Sequence, residues 1–159
     1  ARHAARASGG AAIADDSGLC VPALGGEPGV HSAVFAGAVV PVASGDREAT
    51  RRAQDAANNA LLLARLGAHA GEAARAAYFA CTLVALRHAD DPEPLLASGR
   101  WMGTVLTAPS GAGGFGYDPH FWIDGGAQTF AELSRPDKAR RSHRGAAMRR
   151  LVAELPLMI

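Results

Sequence analysis

Three groups of residues carry side chains suited to chemistry. The first is Asp15-Asp16-Ser17-Gly18, which sets two carboxylates side by side. Paired carboxylates at a strand end suit Mg²⁺, a hard cation that usually takes one or two carboxylates together with substrate phosphates. Neighbouring residues on a strand face opposite sides, so both acids serve one site only where the strand ends or bends. Ser17-Gly18 is expected to supply that bend, with Asp16 the better placed of the two acids. The same four residues also read as a turn in which an Asp caps local N–H groups.

The second group is Gly111-Ala112-Gly113-Gly114-Phe115-Gly116-Tyr117-Asp118-Pro119, which satisfies G-x-G-x-x-G through Gly111, Gly113 and Gly116. That fingerprint must open a helix, whereas here Pro119 and a strand-like His-Phe-Trp-Ile follow, so a dinucleotide site is rejected. What remains is a glycine approach to Phe115-Gly116-Tyr117-Asp118, where a flat base can stack on aromatic surface and be hydrogen-bonded by a carboxylate. The competing reading is a hairpin loop whose aromatics cover a core edge. The third group is Lys138 with Ser142-His143-Arg144 at the start of the last helix. There free N–H groups and three basic side chains make an anion site. A solvated helix face is the plainer alternative for such a run of charge.

The elements that must position these groups follow from periodicity and breakers. Ala1 to Ala7 reads as the end of an Ala/Arg-rich helix stopped at Ser8-Gly9-Gly10. Ala11 to Asp15 is a short buried strand ending at Ser17-Gly18, and Gly25, Gly26, Pro28 and Gly29 form a loop able to lie close to a ligand or another backbone. Asp46 to Leu66 has apolar residues at helical spacing and ends at Gly67, a helix whose expected role is packing. Arg75 to His88 and Leu95 to Leu106 read as two long antiparallel strands, His120 to Ile123 as a further short strand, and Ser142 to Leu155 as an amphipathic helix capped by Ser142 and stopped near Pro156. The fold class is therefore α/β, a mixed sheet flanked by helices, in a single domain over residues 1–159.

Composition limits the partners. A formal net charge of +1 gives no large field for nucleic acid or a membrane surface to follow, so neither is expected as a partner. The charge is unevenly spread: Arg135 to Arg150 holds seven basic residues against Asp137 alone, and Lys138 is the single lysine of the chain. An RNA-binding helix is a further reading of that segment. Cys20 and Cys81 lack metal-ligand spacing and make no disulfide framework, which points to a reducing cytoplasm. The longest apolar run, Ala76 to Leu86, is too short to span a bilayer.

In this order, Ala14-Asp15-Asp16-Ser17-Gly18-Leu19, Gly25-Gly26-Glu27-Pro28-Gly29, Gly113-Gly114-Phe115-Gly116-Tyr117-Asp118-Pro119 and Ser142-His143-Arg144-Gly145, with Lys138 upstream of the last, resemble the Ham1/RdgB family of inosine/xanthosine triphosphate pyrophosphatases. The resemblance implies an ITPase-like fold of the Ham1/Maf type. It implies a homodimer that hydrolyses non-standard purine nucleoside triphosphates (ITP, dITP, XTP) to the monophosphate and pyrophosphate with Mg²⁺. Carried over by motif, Asp16 is the catalytic acid that activates water or holds the metal, and Ser17 touches substrate. Phe115, Gly116, Tyr117 and Asp118 form the nucleoside-side loop, and Lys138, His143 and Arg144 bind phosphate and the oxygen edge of the base. Members ordinarily open with a strand, a Thr-Gly-Asn-x-x-Lys phosphate loop and a helix, which these 159 residues do not contain. An N-terminally incomplete domain is thus expected, and the alternative function is a nucleotide-binding or dimerisation module with impaired catalysis.

Overall fold

A computed structural model describes residues 1–38, 46–67, 69 and 71–158. Its elements in chain order are α1 (Arg2–Ser8), β1 (Ala12–Cys20), α2 (Arg47–Gly67), β2 (Ala76–Leu86), β3 (Leu95–Val105), β4 (Phe121–Ile123), α3 (Arg135–Arg141) and α4 (His143–Glu154). The strands form an antiparallel sheet in the order β1-β2-β3-β4, in line with the α/β class expected from sequence. At its β4 edge Gly103 faces Ile123 and Val105 faces Phe121. The chain is arranged as two compact units, one of residues 1–17, 80–100 and 136–159, the other of residues 18–79 and 101–135.

In the first unit, α1 ends where the sequence places its stop, with Gly9 at φ 70° in the left-handed region that glycine adopts without strain. Arg2 donates to the Ala89 and Asp91 carbonyls, tying α1 to the β2–β3 connection. That connection is organised by Asp91, which is fully buried and accepts from the Arg87 guanidinium and from the Arg87 and Glu93 backbone N–H groups. The core consists of Cys81, Leu83 and Ala85 of β2, Ala97 of β3, and Ala147 and Leu151 of α4. Helix and strand approach closely at Gly99, where a Cβ would stand 2.2 Å from the His143 carbonyl oxygen. No larger residue fits there. α4 begins as expected, Ser142 Oγ accepting from Gly145 N at 3.2 Å.

The second unit has a larger, aromatic core: Phe79 and Phe130 stack at 5.2 Å between centroids, and Phe121 tilts against both. Leu19, Val21, Leu62, Leu66, Ala77, Val105, Tyr117 and Ile123 complete its buried set. α2 is the expected helix, capped by Asp46, whose Oδ1 accepts from Glu48 N and Ala49 N.

Two sequence expectations need correction. The strand does not stop before Ser17-Gly18, because β1 runs on to Cys20. Glycine is required at position 18 for space and not for a turn: a Cβ would lie 2.2 Å from the Gly29 carbonyl oxygen. The glycine loop does lie against another backbone, folding onto β1 through a Cys20–Pro28 bridge and a Val21 N to Glu27 O hydrogen bond of 3.0 Å. The other concerns bounds: the charged segment, for which a solvated helix face is one of the sequence readings, holds a separate helix α3 ahead of the one expected from Ser142. α3 buries no residue, so it has no apolar stripe to betray it.

Candidate functional site

The acid and cation groups of the first unit meet on β1 and α4. Residues alternate sides along β1, and Asp15 takes the side that carries Cys81 and Arg144. The Arg144 guanidinium grips it in bidentate fashion, Nε to Oδ2 at 2.7 Å and one terminal nitrogen to Oδ1 at 3.1 Å. The same terminal nitrogen reaches Ser17 Oγ at 3.3 Å, and Ser17 Oγ donates to Asp15 Oδ1 at 3.1 Å. Arg144 holds the Asp15 carboxyl below the usual carboxylate range, with partial burial opposing. Cys81 Sγ stands 3.8 Å from Asp15 Oδ2, and burial pushes its thiol up, so it remains protonated at neutral pH.

Asp16 is exposed and makes no hydrogen bond or ion pair among the described residues. Its carboxylate is therefore available, whereas that of Asp15 is committed to Arg144. The described residues contain no cluster of three or more His, Cys, Asp or Glu suited to a metal. Among the described residues, a cation here would rest on Asp16, with substrate phosphate and water supplying further oxygens. That fits Mg²⁺, which commonly keeps one protein carboxylate and shares substrate phosphates, and does not fit a cation needing an all-protein cage.

His143 opens α4 and is 5% exposed. Burial, followed by the positive charges of Arg144 and Lys138, lowers its pKa from the ordinary 6.5 to about 4, with Asp15 opposing. At neutral pH it is an uncharged imidazole able to donate one N–H, and the cations of this group are Arg144 and Lys138. Lys138 stands half-buried on α3. α3 and α4 meet so tightly that a Cβ at Gly145 would lie 2.1 Å from the Ala139 carbonyl oxygen.

The second unit carries the Phe115-Gly116-Tyr117-Asp118 turn. No helix follows its glycines; a 3-10 turn at Asp118–His120 leads into β4, which agrees with rejecting the dinucleotide fingerprint. Only Phe115 presents aromatic surface, at 53% exposed. Tyr117 is buried and donates through its hydroxyl to the Ser32 carbonyl at 2.9 Å, burial raising its pKa. Asp118, also buried, accepts from Phe115 N at 2.8 Å and closes its own turn. A Cβ at Gly114 would stand 2.1 Å from Asp118 Oδ2, so the glycine approach is needed for that closure.

Several contributors were missed in the sequence. Arg51, Asp55 and Asn59 of α2 touch Phe115 or Gly116. Asn58, fully enclosed, binds the Ser32 and Ala33 carbonyls and accepts from Ala36 N. Their signal was present as polar residues four apart on an otherwise packing helix. Of the two adjacent acids, Arg144 pairs with Asp15, a partnership that the sequence does not signal.

The Ham1 family pattern matches residues 1–154. A dITP/XTP pyrophosphatase of Methylibium petroleiphilum is 59% identical over 153 residues, covering 96% of this chain and 71% of that protein. A dITP/XTP pyrophosphatase of Burkholderia pseudomallei is 52% identical, over 98% of this chain and 68% of its own length. Among solved structures, a HAM1 protein from Coxiella burnetii superposes with a TM-score of 0.84 at 37% identity, covering 99% of this chain and 73% of that one. The Ham1 protein of Staphylococcus aureus gives 0.79 at 35% identity, covering 99% and 72%. The order of motifs, the fold and these likenesses agree: the chain belongs to the Ham1 family.

Proposed function

We propose that this protein hydrolyses non-standard purine nucleoside triphosphates, ITP, dITP and XTP, to the nucleoside monophosphate and pyrophosphate. The observation that carries this is the 59% identity to a dITP/XTP pyrophosphatase over 96% of the chain. Water attacks the α-phosphorus, the bond to the bridging oxygen breaks, and pyrophosphate leaves with the electron pair. Asp16 orients the attacking water and accepts its proton, because its carboxylate is exposed and is not taken up by Arg144 as that of Asp15 is. It is also the residue that would hold Mg²⁺, which when bound neutralises charge on the phosphate oxygens. Arg144 and Lys138 supply fixed positive charge for the phosphates and the oxygen edge of the base, and Asp15 and Ser17 set the direction of the Arg144 guanidinium. Neutral His143 adds an N–H donor.

On the nucleoside side, Phe115 offers its ring to the base, and Gly116, Tyr117 and Asp118 hold that ring in place. A base with an oxygen at position 6 accepts hydrogen bonds that an amino group there cannot, so adenine is rejected by leaving donors unpaired. We further infer a homodimer working in the cytoplasm. Two free thiols, Cys20 and Cys81, support a reducing compartment. No described helix is long and apolar enough to cross a membrane. The test is product analysis of the purified protein with dITP, with and without Mg²⁺: pyrophosphate and dIMP in its presence and neither in excess EDTA are expected. Orthophosphate as the product, or undiminished turnover in EDTA, would refute this reading.

A further inference from the structure

Arg51, Asp55 and Asn59 lie four residues apart on α2 and therefore on one face of it. Each touches the exposed turn of the same unit. The Arg51 guanidinium lies over the Phe115 ring, 4.9 Å from its centroid. Asp55 Oδ2 accepts from Gly116 N at 2.8 Å, and Asn59 Nδ2 donates to the Gly116 carbonyl at 2.9 Å. Both polar backbone groups of Gly116 thus end on side chains of one helix. Gly116 has φ 61°, and a glycine so placed would otherwise be the loosest point of the turn.

The clamp is not the arrangement that stability alone would select. Asn59 spends its amide on the Gly116 and Asp55 carbonyls, while its own Oδ1 is buried without a hydrogen-bond partner among the described residues. An unsatisfied buried carbonyl costs stability, so the residue is kept for the direction in which its N–H groups point. A carboxylate accepting a backbone N–H is also a stronger and more directional tether than a neutral acceptor.

We propose that Asp55 and Asn59 are positioning residues that fix Gly116, and through it the exposed ring of Phe115, in the orientation that receives the purine base. The inference rests on the reading of this turn as the nucleoside side of a pyrophosphatase. The clamp acts on binding geometry and touches no reacting atom, so its loss appears in KM and leaves kcat largely alone.

Asp55→Ala, Asp55→Asn and Asn59→Ala are compared with the unmodified protein for KM and kcat on dITP and for hydrogen exchange at the Gly116 amide. Asp55→Ala is expected to raise KM about 10-fold with kcat within about threefold, and to speed exchange at Gly116 about 10-fold. Asp55→Asn keeps an oxygen facing Gly116 N–H and should restore KM to within about threefold of the unmodified value. Asn59→Ala, which leaves the charge in place, should raise KM about fivefold, and it carries the test should Asp55→Ala fail to fold. Unchanged KM in both alanine variants, a loss confined to kcat, or unaltered exchange at Gly116 would overturn the clamp. If the unmodified protein released no pyrophosphate, the activity proposed above would fall. Exchange at Gly116 would then decide the clamp by itself, faster exchange in the alanine variants supporting it and equal exchange contradicting it.

Discussion

Asp15 and Asp16 are covalent neighbours in opposite circumstances. One is held in a bidentate ion pair by Arg144 and the other is exposed and uncommitted. If Asp16 carries the chemistry, Asp16→Asn should lower kcat for dITP at least about 100-fold while the dissociation constant of the nucleotide in the absence of turnover stays within about threefold. Equal losses in Asp15→Asn and Asp16→Asn would show instead that the pair works as a unit. His143 carries the pH prediction. Its folded pKa of about 4 lies below the ordinary 6.5, so between those values the unfolded chain binds the proton that the folded one refuses. Stability therefore rises with pH across that window and falls as acid is added, by about 3 kcal/mol for this group. Asp15, lowered by Arg144, adds to the loss only below the ordinary carboxylate range. An NMR titration of the His143 ring should show no inflection near pH 6.5, and denaturant unfolding should weaken steadily from pH 6.5 to 4. The chemical residue types of this group were legible in the sequence. Which of two adjacent acids Arg144 would take was not, since that depends on a contact 129 residues away in the chain.

α2 shows what an element hides from its own sequence. Its apolar spacing predicts the helix, and Leu62 and Leu66 are packed as that spacing requires. The second periodicity, Gln54 to Asn58 and Asp55 to Asn59, reads as ordinary solvated surface until the turn that it holds is known. β1 misleads in the other direction. Ser-Gly looks like a strand end because glycine is common in turns, yet Gly18 sits mid-strand to admit the Gly29 carbonyl. Gly18→Ala should therefore destabilise the protein by about 1–3 kcal/mol in denaturant unfolding, the range for overpacking. Gly10→Ala, where a Cβ would meet nothing within 4 Å, should stay within about 0.5 kcal/mol. A Gly18→Ala protein as stable as the unmodified one would mean that the loop yields and that the close approach is not required.

At the scale of the molecule, alternation along β2 is uninterrupted from Ala77 to Ala85 and reads as one buried face. The same face nevertheless feeds two cores, Ala77 and Phe79 joining the aromatic cluster and Cys81, Leu83 and Ala85 joining α4. Strand periodicity records burial but not what covers each residue. The family was legible because it rests on motifs in order, and the positive segment from Arg135 to Arg150 now has local partners: Arg140 pairs with Asp137, Arg144 with Asp15, and Arg149 and Arg150 donate to backbone carbonyls. That pattern favours a built site over a free polycationic surface. The most direct measurement is pyrophosphate release from ITP and ATP side by side with Mg²⁺, since the two differ only along one edge of the base, in the 6-substituent and in the hydrogen that N1 carries beside the 6-oxygen. A kcat/KM at least about 100-fold higher for ITP is expected from unpaired donors facing an amino group. Equal turnover of the two nucleotides, or release of pyrophosphate from neither, would contradict the account.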